Sequence, residues 1–185
     1  MDLLDAIHQR RTTQDFAPGE VPDEVVDELL AAAHRAPNHK LTWPWRFAVV
    51  GPATRRALLP IAERHAAKKF GGELPEKARQ KVHDTFLTPG LLIAVAQRVA
   101  ADPERAREDY AAVSCAVQNL LLVATARGLG SKWGTGAVTR DAEASALLGF
   151  DPAEEPIVGF IWIGRSARVP EVQRPPLDGY VRRLP

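Results

Sequence analysis

The chain has 185 residues, 45% apolar and 25% charged, the balance of a globular protein long enough to bury a core without disulfides or metals. Lys plus Arg number 24 and Asp plus Glu 23, so no global field draws it to nucleic acid or anionic lipid, and neither is expected as a partner. A single cysteine, Cys115, excludes an intramolecular disulfide and a thiolate zinc cluster within one chain.

The opening Met-Asp-Leu-Leu-Asp-Ala-Ile-His lacks the basic and long apolar regions of a secretory signal, which makes the cytoplasm the expected location. A first helix is expected over 3–10, with Asp2 as N-cap and Leu3, Leu4 and Ile7 on one face. Phe16-Ala-Pro-Gly reads as a turn. Asp23 is placed to cap a second helix in which Val25, Val26, Leu29, Leu30 and Ala33 recur at helical spacing, and Pro37 ends it. A strand follows over 45–51, then helices over 53–70 and 75–86, split by Gly71-Gly72-Glu-Leu-Pro75. Residues 91–96 form a buried strand. This run and 120–124 are the longest apolar stretches, and both are too short to span a bilayer.

The longest helix is expected from about 103 to 127, with Tyr110, Val113, Val117, Leu120, Leu121 and Ala124 as its apolar face and Gly128 as its stop. Cys115 lies in its apolar run and is expected to be buried as a small hydrophobe. Residues 131–133 make a short strand or turn, a helix follows near 140–148, and 157–164 is the last clear strand. The proline-bearing tail reads as an extended arm that must dock on something. Alternating helices and strands indicate α/β or α+β, with the strand order left open.

Several catalytic motifs are absent. Gly128-Leu-Gly130-Ser-Lys-Trp133 starts like a dinucleotide fingerprint, but it lacks the third glycine and follows a helix where that motif follows a strand. There is no Gly-x-x-x-x-Gly-Lys-Ser/Thr, no Gly-x-Ser-x-Gly and no His-Glu-x-x-His. None of the five histidines pairs with a carboxylate at metal-ligand spacing, so no metal is expected.

Three segments remain. Arg10-Arg11-Thr12-Thr13-Gln14-Asp15-Phe16 sets two guanidiniums beside a hydroxyl after the first helix. It reads either as a phosphate site with charge-assisted bonds or as a solvated basic helix end. Arg35-Ala-Pro37-Asn38-His39-Lys-Leu-Thr-Trp43-Pro44-Trp45 runs from a helix end through a polar loop to two indoles. It can line a flat aromatic ligand, or pack as a connection with at least one Trp in the core. Gly128-Leu-Gly130-Ser131-Lys132-Trp133-Gly134-Thr135-Gly136 lets backbone approach a ligand closely. A helix stop accounts for Gly128 but less well for Gly134 and Gly136.

Together, in order and spacing, these segments resemble the short-chain branch of the nitroreductase family. That branch carries Arg-Arg-Ser/Thr after a first helix, Arg-Ala-Pro-Asp/Asn-His-Lys…Pro-Trp, and a glycine-flanked Trp element after the central helix. The ending Arg174-Pro-Pro-Leu…Tyr180-Val-Arg is similar too, so the likeness spans essentially the whole chain. It implies an α+β fold with a central, mostly antiparallel sheet flanked by helices. It implies a single domain over 1–185 with an extended C-terminal arm from about residue 166, and a homodimer with flavin mononucleotide (FMN) at the subunit interface.

Carried over by position, Arg10, Arg11 and Thr12 hold the phosphate and ribityl end. Arg35, Pro37, Asn38 and His39 belong to the flavin-contacting loop, with Arg35 or His39 reaching across the interface. Trp133, Gly134 and Thr135 lie against the isoalloxazine, with a backbone N–H near N5. Gln14 stands where many members carry Lys or Arg near the flavin N1 and C2 carbonyl. A neutral amide donates a hydrogen bond there but cannot offset negative charge, and Arg35 is one candidate for that role.

The implied activity is two-step: NADH or NADPH reduces FMN and leaves, and a nitroaromatic, quinone or similar acceptor takes the electrons at the same face. The flavin carries the chemistry, so no catalytic side chain is expected. Two alternatives stand beside it. One is a flavoprotein of the same fold with other chemistry, such as dehalogenation, dehydrogenation or flavin breakdown. The other is a non-redox binding module using Arg64, Lys68, Lys69, Lys77, Arg79 and Lys81, a stretch that also reads as a solvated helical face.

Overall fold

Strands whose residues are apolar on both sides must be covered on both faces, and Leu91-Leu-Ile-Ala-Val-Ala is such a strand. In the computed structural model, which describes residues 1–185, it forms β2 (Leu91–Gln97), buried at every position. It pairs antiparallel with β1 (Trp45–Val49) on one side and β4 (Ile157–Gly164) on the other. The fourth strand, β3 (Gly130–Gly134), pairs antiparallel with β4. The sheet order is β1-β2-β4-β3, so the two longest strands are central. A register shift at Val95/Ala96 bends β2 against β4.

Alternation divides the sheet residues between two cores. Leu91, Ile93, Val95, Ile161 and Ile163 face α2 (Asp23–His34) and α5 (Pro103–Ala126), which contribute Leu29, Ala33, Val113, Val117 and Leu120. Leu92, Ala94, Phe160 and Trp162 face the other way, onto Leu58 and Ile61 of α3 (Pro52–Ala67) and Phe86 of α4 (Glu76–Leu87). The remaining helices are α1 (Leu3–Gln9) and α6 (Ala142–Leu147). This is an α+β arrangement, as the resemblance implies. Although α5 is long and apolar enough to cross a membrane, seven of its residues lie buried in this core.

The helix ends follow their local chemistry. Asp2 caps α1, its carboxylate accepting from the Asp5 N–H at 2.8 Å. Asp102 caps α5 ahead of Pro103. Gly128 takes φ +72° and lets the Leu129 N–H return to the Ala124 carbonyl, which closes the helix. Asp23 is not the cap of α2: extended Pro22 precedes the helix, and Asp23 becomes its first residue, where the carboxylate meets the positive end of the dipole.

Two residues of α5 depart from expectation. Cys115 is exposed, because it lies roughly 200° around the helix from Val113, away from the sheet. Tyr110 sits at the flank of the buried stripe and is 47% exposed. Beyond Ser166, which bridges back to Phe16, the chain runs without strand or long helix, and residues 171–185 are exposed.

Candidate functional site

The first and third segments meet along β3. Thr12 forms a parallel bridge with Ser131, and the Thr13 N–H donates to the Ser131 carbonyl at 2.9 Å. Thr13 is buried, and its hydroxyl lies 3.1 Å from that of Ser166. Gly130 is required there, since a Cβ would collide with both hydroxyls. The segment after α1 thus runs beside β3 as an added, short strand.

Between them opens a cavity of about 370 Å³ lined by Arg10, Thr12, Ser131, Trp133 and Thr135, with Tyr110, Gln118 and Leu121 of α5 opposite. The Ser131 hydroxyl and the Trp133 Nε1 are buried without hydrogen-bond partners. Buried polar groups in native proteins almost always have partners; the Trp133 Nε1 packs over Gly159, and Trp162 Nε1 is unpartnered as well, which leaves the Ser131 hydroxyl as the orphan among the cavity's hydroxyl-bearing residues.

The electrostatics agree. Burial, followed by repulsion from Arg174 of the C-terminal arm and from Arg11, lowers the pKa of Arg10. Arg10 makes no ion pair. Arg11 turns elsewhere: its guanidinium donates to the carbonyls of His8 and Arg10, satisfying the C-terminal end of α1. It lines a separate, larger cavity of about 670 Å³ with Met1, Thr13, Gly130 and Arg165.

Gln14 lies on the other side of β3. It lines a cavity of about 520 Å³ with Asp15, Lys81, Asp84, Lys132 and Trp162. Gly134 belongs to β3, and Thr135 follows it at the rim of the first cavity.

The second segment stands apart. Arg35 caps the C-terminus of α2 and is exposed, as are Pro37 and His39. Asn38 Oδ1 accepts from the Trp43 N–H at 3.0 Å. The His39 carbonyl accepts from Arg105 at 3.3 Å, and Thr42 donates to buried Asp109 at 2.6 Å, which ties the loop to the first turns of α5. Lys40, Leu41 and Trp43 have φ of 59°, 53° and 41°, three strained non-glycine residues on either side of an ordinary Thr42. Trp45 is core, its Nε1 donating to His34 Nδ1, whereas Trp43 is half exposed. None of Arg35, Pro37, Asn38 and His39 lines either cavity beside β3.

Sequence reading did not name Gln118, and it gave Ser131, Tyr110, Lys81, Lys132 and Arg174 no side-chain role at this site, although all five fall in segments it singled out. Only period-two alternation along β3 carried a signal, since it sends Ser131 and Trp133 to one face and Lys132 to the other. No cluster of three metal-ligating side chains exists.

The nitroreductase family profile matches residues 7–165. The Bacillus subtilis protein named "Putative NAD(P)H nitroreductase YfhC" is 34% identical over 174 residues, covering 93% of this chain and 88% of that protein. A nitroreductase-like family protein from Bacillus cereus superposes with a TM-score of 0.85 at 27% identity, covering 100% of this chain and 96% of the other. A Desulfovibrio desulfuricans structure described as a nitroreductase in complex with FMN gives a TM-score of 0.76 at 26% identity, covering 100% and 98%. With a profile match over most of its length and a relative above 30% identity, this chain belongs to the nitroreductase family of oxidoreductases.

Proposed function

We propose that the chain is an FMN-dependent oxidoreductase that passes reducing equivalents from NADH or NADPH to nitroaromatic, quinone or similar acceptors, working in the cytoplasm as a homodimer. The observation that carries this is the cavity beside β3, with an unpaired guanidinium at one end and the orphaned Ser131 hydroxyl along its wall. The residues fit FMN: Arg10, with Arg174 near it, would take the phosphate, and Thr12 and Ser131 would meet the ribityl hydroxyls. Trp133, Gly134 and Thr135 would lie against the ring. Bound FMN supplies two-electron transfer between a nicotinamide and an acceptor, while the chain binds, orients and tunes it.

Arg35, Pro37, Asn38 and His39 lie outside the cavities of their own chain. They would serve a flavin held by a second copy, which makes the interface the natural location of the site. The C-terminal arm from about residue 166 would wrap that copy. The test is the absorption spectrum of the purified protein, followed by anaerobic titration with NADH and NADPH. Flavin bands that bleach with either nucleotide and return with a nitroaromatic are expected. A colourless protein that ignores added FMN overturns the reading.

A further inference from the structure

The loop from Arg35 to Pro44 leaves the body at His34, the last residue of α2, and returns at Trp45, the first residue of β1. These two residues are joined to each other. The Trp45 Nε1–H donates to His34 Nδ1 at 3.0 Å, and the rings meet edge to face, with centroids 5.7 Å apart and planes at 89°. An indole N–H can only donate, so His34 Nδ1 is the acceptor and carries no proton. Trp45 is 5% exposed and belongs to the core between the sheet and α2 and α5. Without the acceptor, its N–H would be a buried donor left unpaired. His34 itself is exposed, so the core does not need it to fill space.

Left-handed non-glycine residues persist only where their surroundings over-determine them, and Lys40, Leu41 and Trp43 are held in that way. Asn38 accepts from the Trp43 N–H, Thr42 donates to Asp109, Arg105 donates to the His39 carbonyl, and Arg46 donates to the Trp43 carbonyl at 3.1 Å. These bonds fix the loop from Asn38 onward. Arg35 and Ala36 instead continue the helix end, their N–H groups returning to the Ala32 and Ala33 carbonyls. Their direction is therefore that of the end of α2, and the bond that ties this end to the start of β1 is His34 to Trp45.

We propose that His34 and Trp45 are positioning residues for the flavin site of a second copy. Their bond sets the end of α2 against β1. It thereby aims Arg35, the next residue, and the loop through His39 at a flavin held by the other chain. This rests on the FMN reading above.

The test measures the FMN dissociation constant of wild type, His34→Phe and His34→Asn by flavin fluorescence titration. Phenylalanine keeps the edge-to-face ring and loses the acceptor, whereas asparagine puts its Oδ1 in the place of Nδ1. Loss of the acceptor is expected to weaken FMN binding about tenfold in His34→Phe, and His34→Asn stays within about threefold of wild type. A mixed dimer separates positioning from a general loss of stability. Chains carrying His34→Phe and chains carrying Arg10→Ala are co-expressed with different tags, and dimers bearing both tags are isolated. With the loop serving the other copy, one site in each mixed dimer joins an intact Arg10 to an intact loop. Half of the sites then bind FMN with wild-type affinity, although neither parent homodimer has such sites. Wild-type affinity in His34→Phe, no rescue in His34→Asn, or a mixed dimer without the tight half overturns the proposal. If His34→Phe does not fold, Trp45→Phe, which removes the donor instead, is read by the same criteria. Wild-type protein that binds no FMN, or binds it as a monomer, sinks the parent reading instead. A flavin-loaded dimer that turns over normally while its His34→Phe variant keeps wild-type affinity sinks only this one.

Discussion

Arg10 is an exposed-looking residue in sequence, yet it lines the cavity beside β3 and is the cation that the proposed flavin site would set against the phosphate. Partial burial and two neighbouring guanidiniums make its charge unfavourable until an anion arrives. Arg10→Ala is therefore expected to weaken FMN binding by about 1.5–3 kcal/mol, the range of a charged hydrogen bond, whereas Lys69→Ala on the solvated surface changes little. Flavin fluorescence titration separates the two, and equal dissociation constants would remove Arg10 from the phosphate.

Asp141 illustrates a structural ionisation instead. Its carboxylate bonds to His65 at 2.7 Å and Arg64 at 3.0 Å and caps α6, which lowers its pKa to about 2. Because the folded value lies below the ordinary value of 3.8, the stability it adds is present above pH 4 and is lost as pH falls through about 2. Urea midpoints of wild type and Asp141→Asn should differ at pH 6 and converge near pH 2. At this scale the sequence supplied residue types but not directions. Arg11 was legible as basic, but not as a cap of its own helix. Lys132 could be assigned a face only once β3 and its register were known.

Among the elements, β3 and the segment after α1 form the unit on which the proposed flavin site is built. The bulk of the helices and strands was legible from periodicity and caps, because those signals are local. The pairing order was not legible, since it depends on contacts such as Ile93 with Ile161 that lie far apart in sequence. The parallel bridge of Thr12 to Ser131 is likewise invisible to local pattern, although it joins two of the three motifs. The remaining motif, Arg35 to Trp45, was expected to place at least one Trp in the core, and Trp45 is there while Trp43 is half exposed. Its strained backbone at Lys40, Leu41 and Trp43 had no sequence signal, as none of the three is glycine. Gly130→Ala tests the unit directly. The added methyl meets the Thr13 and Ser166 hydroxyls, which are held by burial and by each other. Overpacking of this kind costs about 1–3 kcal/mol. Both a lower urea midpoint and weaker FMN binding are expected, because the displaced segment carries Arg10 and Thr12. A stability loss with unchanged flavin affinity would separate the segment from the site.

At the scale of the whole molecule, the single chain leaves large apolar side chains uncovered on α1 and on the C-terminal arm. Leu3, Leu4 and Ile7 of α1 are 66%, 65% and 44% exposed, and Leu177, Tyr180 and Leu184 of the arm are 69%, 73% and 85% exposed. Large apolar side chains exposed in this number are what a docking surface for a second copy would present. The outward side of α5 adds to it. Ala111, Ser114, Cys115 and Gln118 recur there at helical spacing, without the charges that a solvated face of so long a helix would carry. A second copy docked on this side would bring its Arg35–His39 loop toward the cavity that its own chain keeps out of reach. Obligate interfaces of this type bury roughly 2,000 Å² or more, so the dimer should persist on dilution. Cys115 reports on the face used. Exposed in one chain, it should react slowly with a thiol reagent in the native protein and quickly in denaturant. Sedimentation should give a dimer over the same concentrations. A flavin-loaded monomer would remove the dimer, and a dimer with a freely reactive Cys115 would keep the assembly but move its interface off α5.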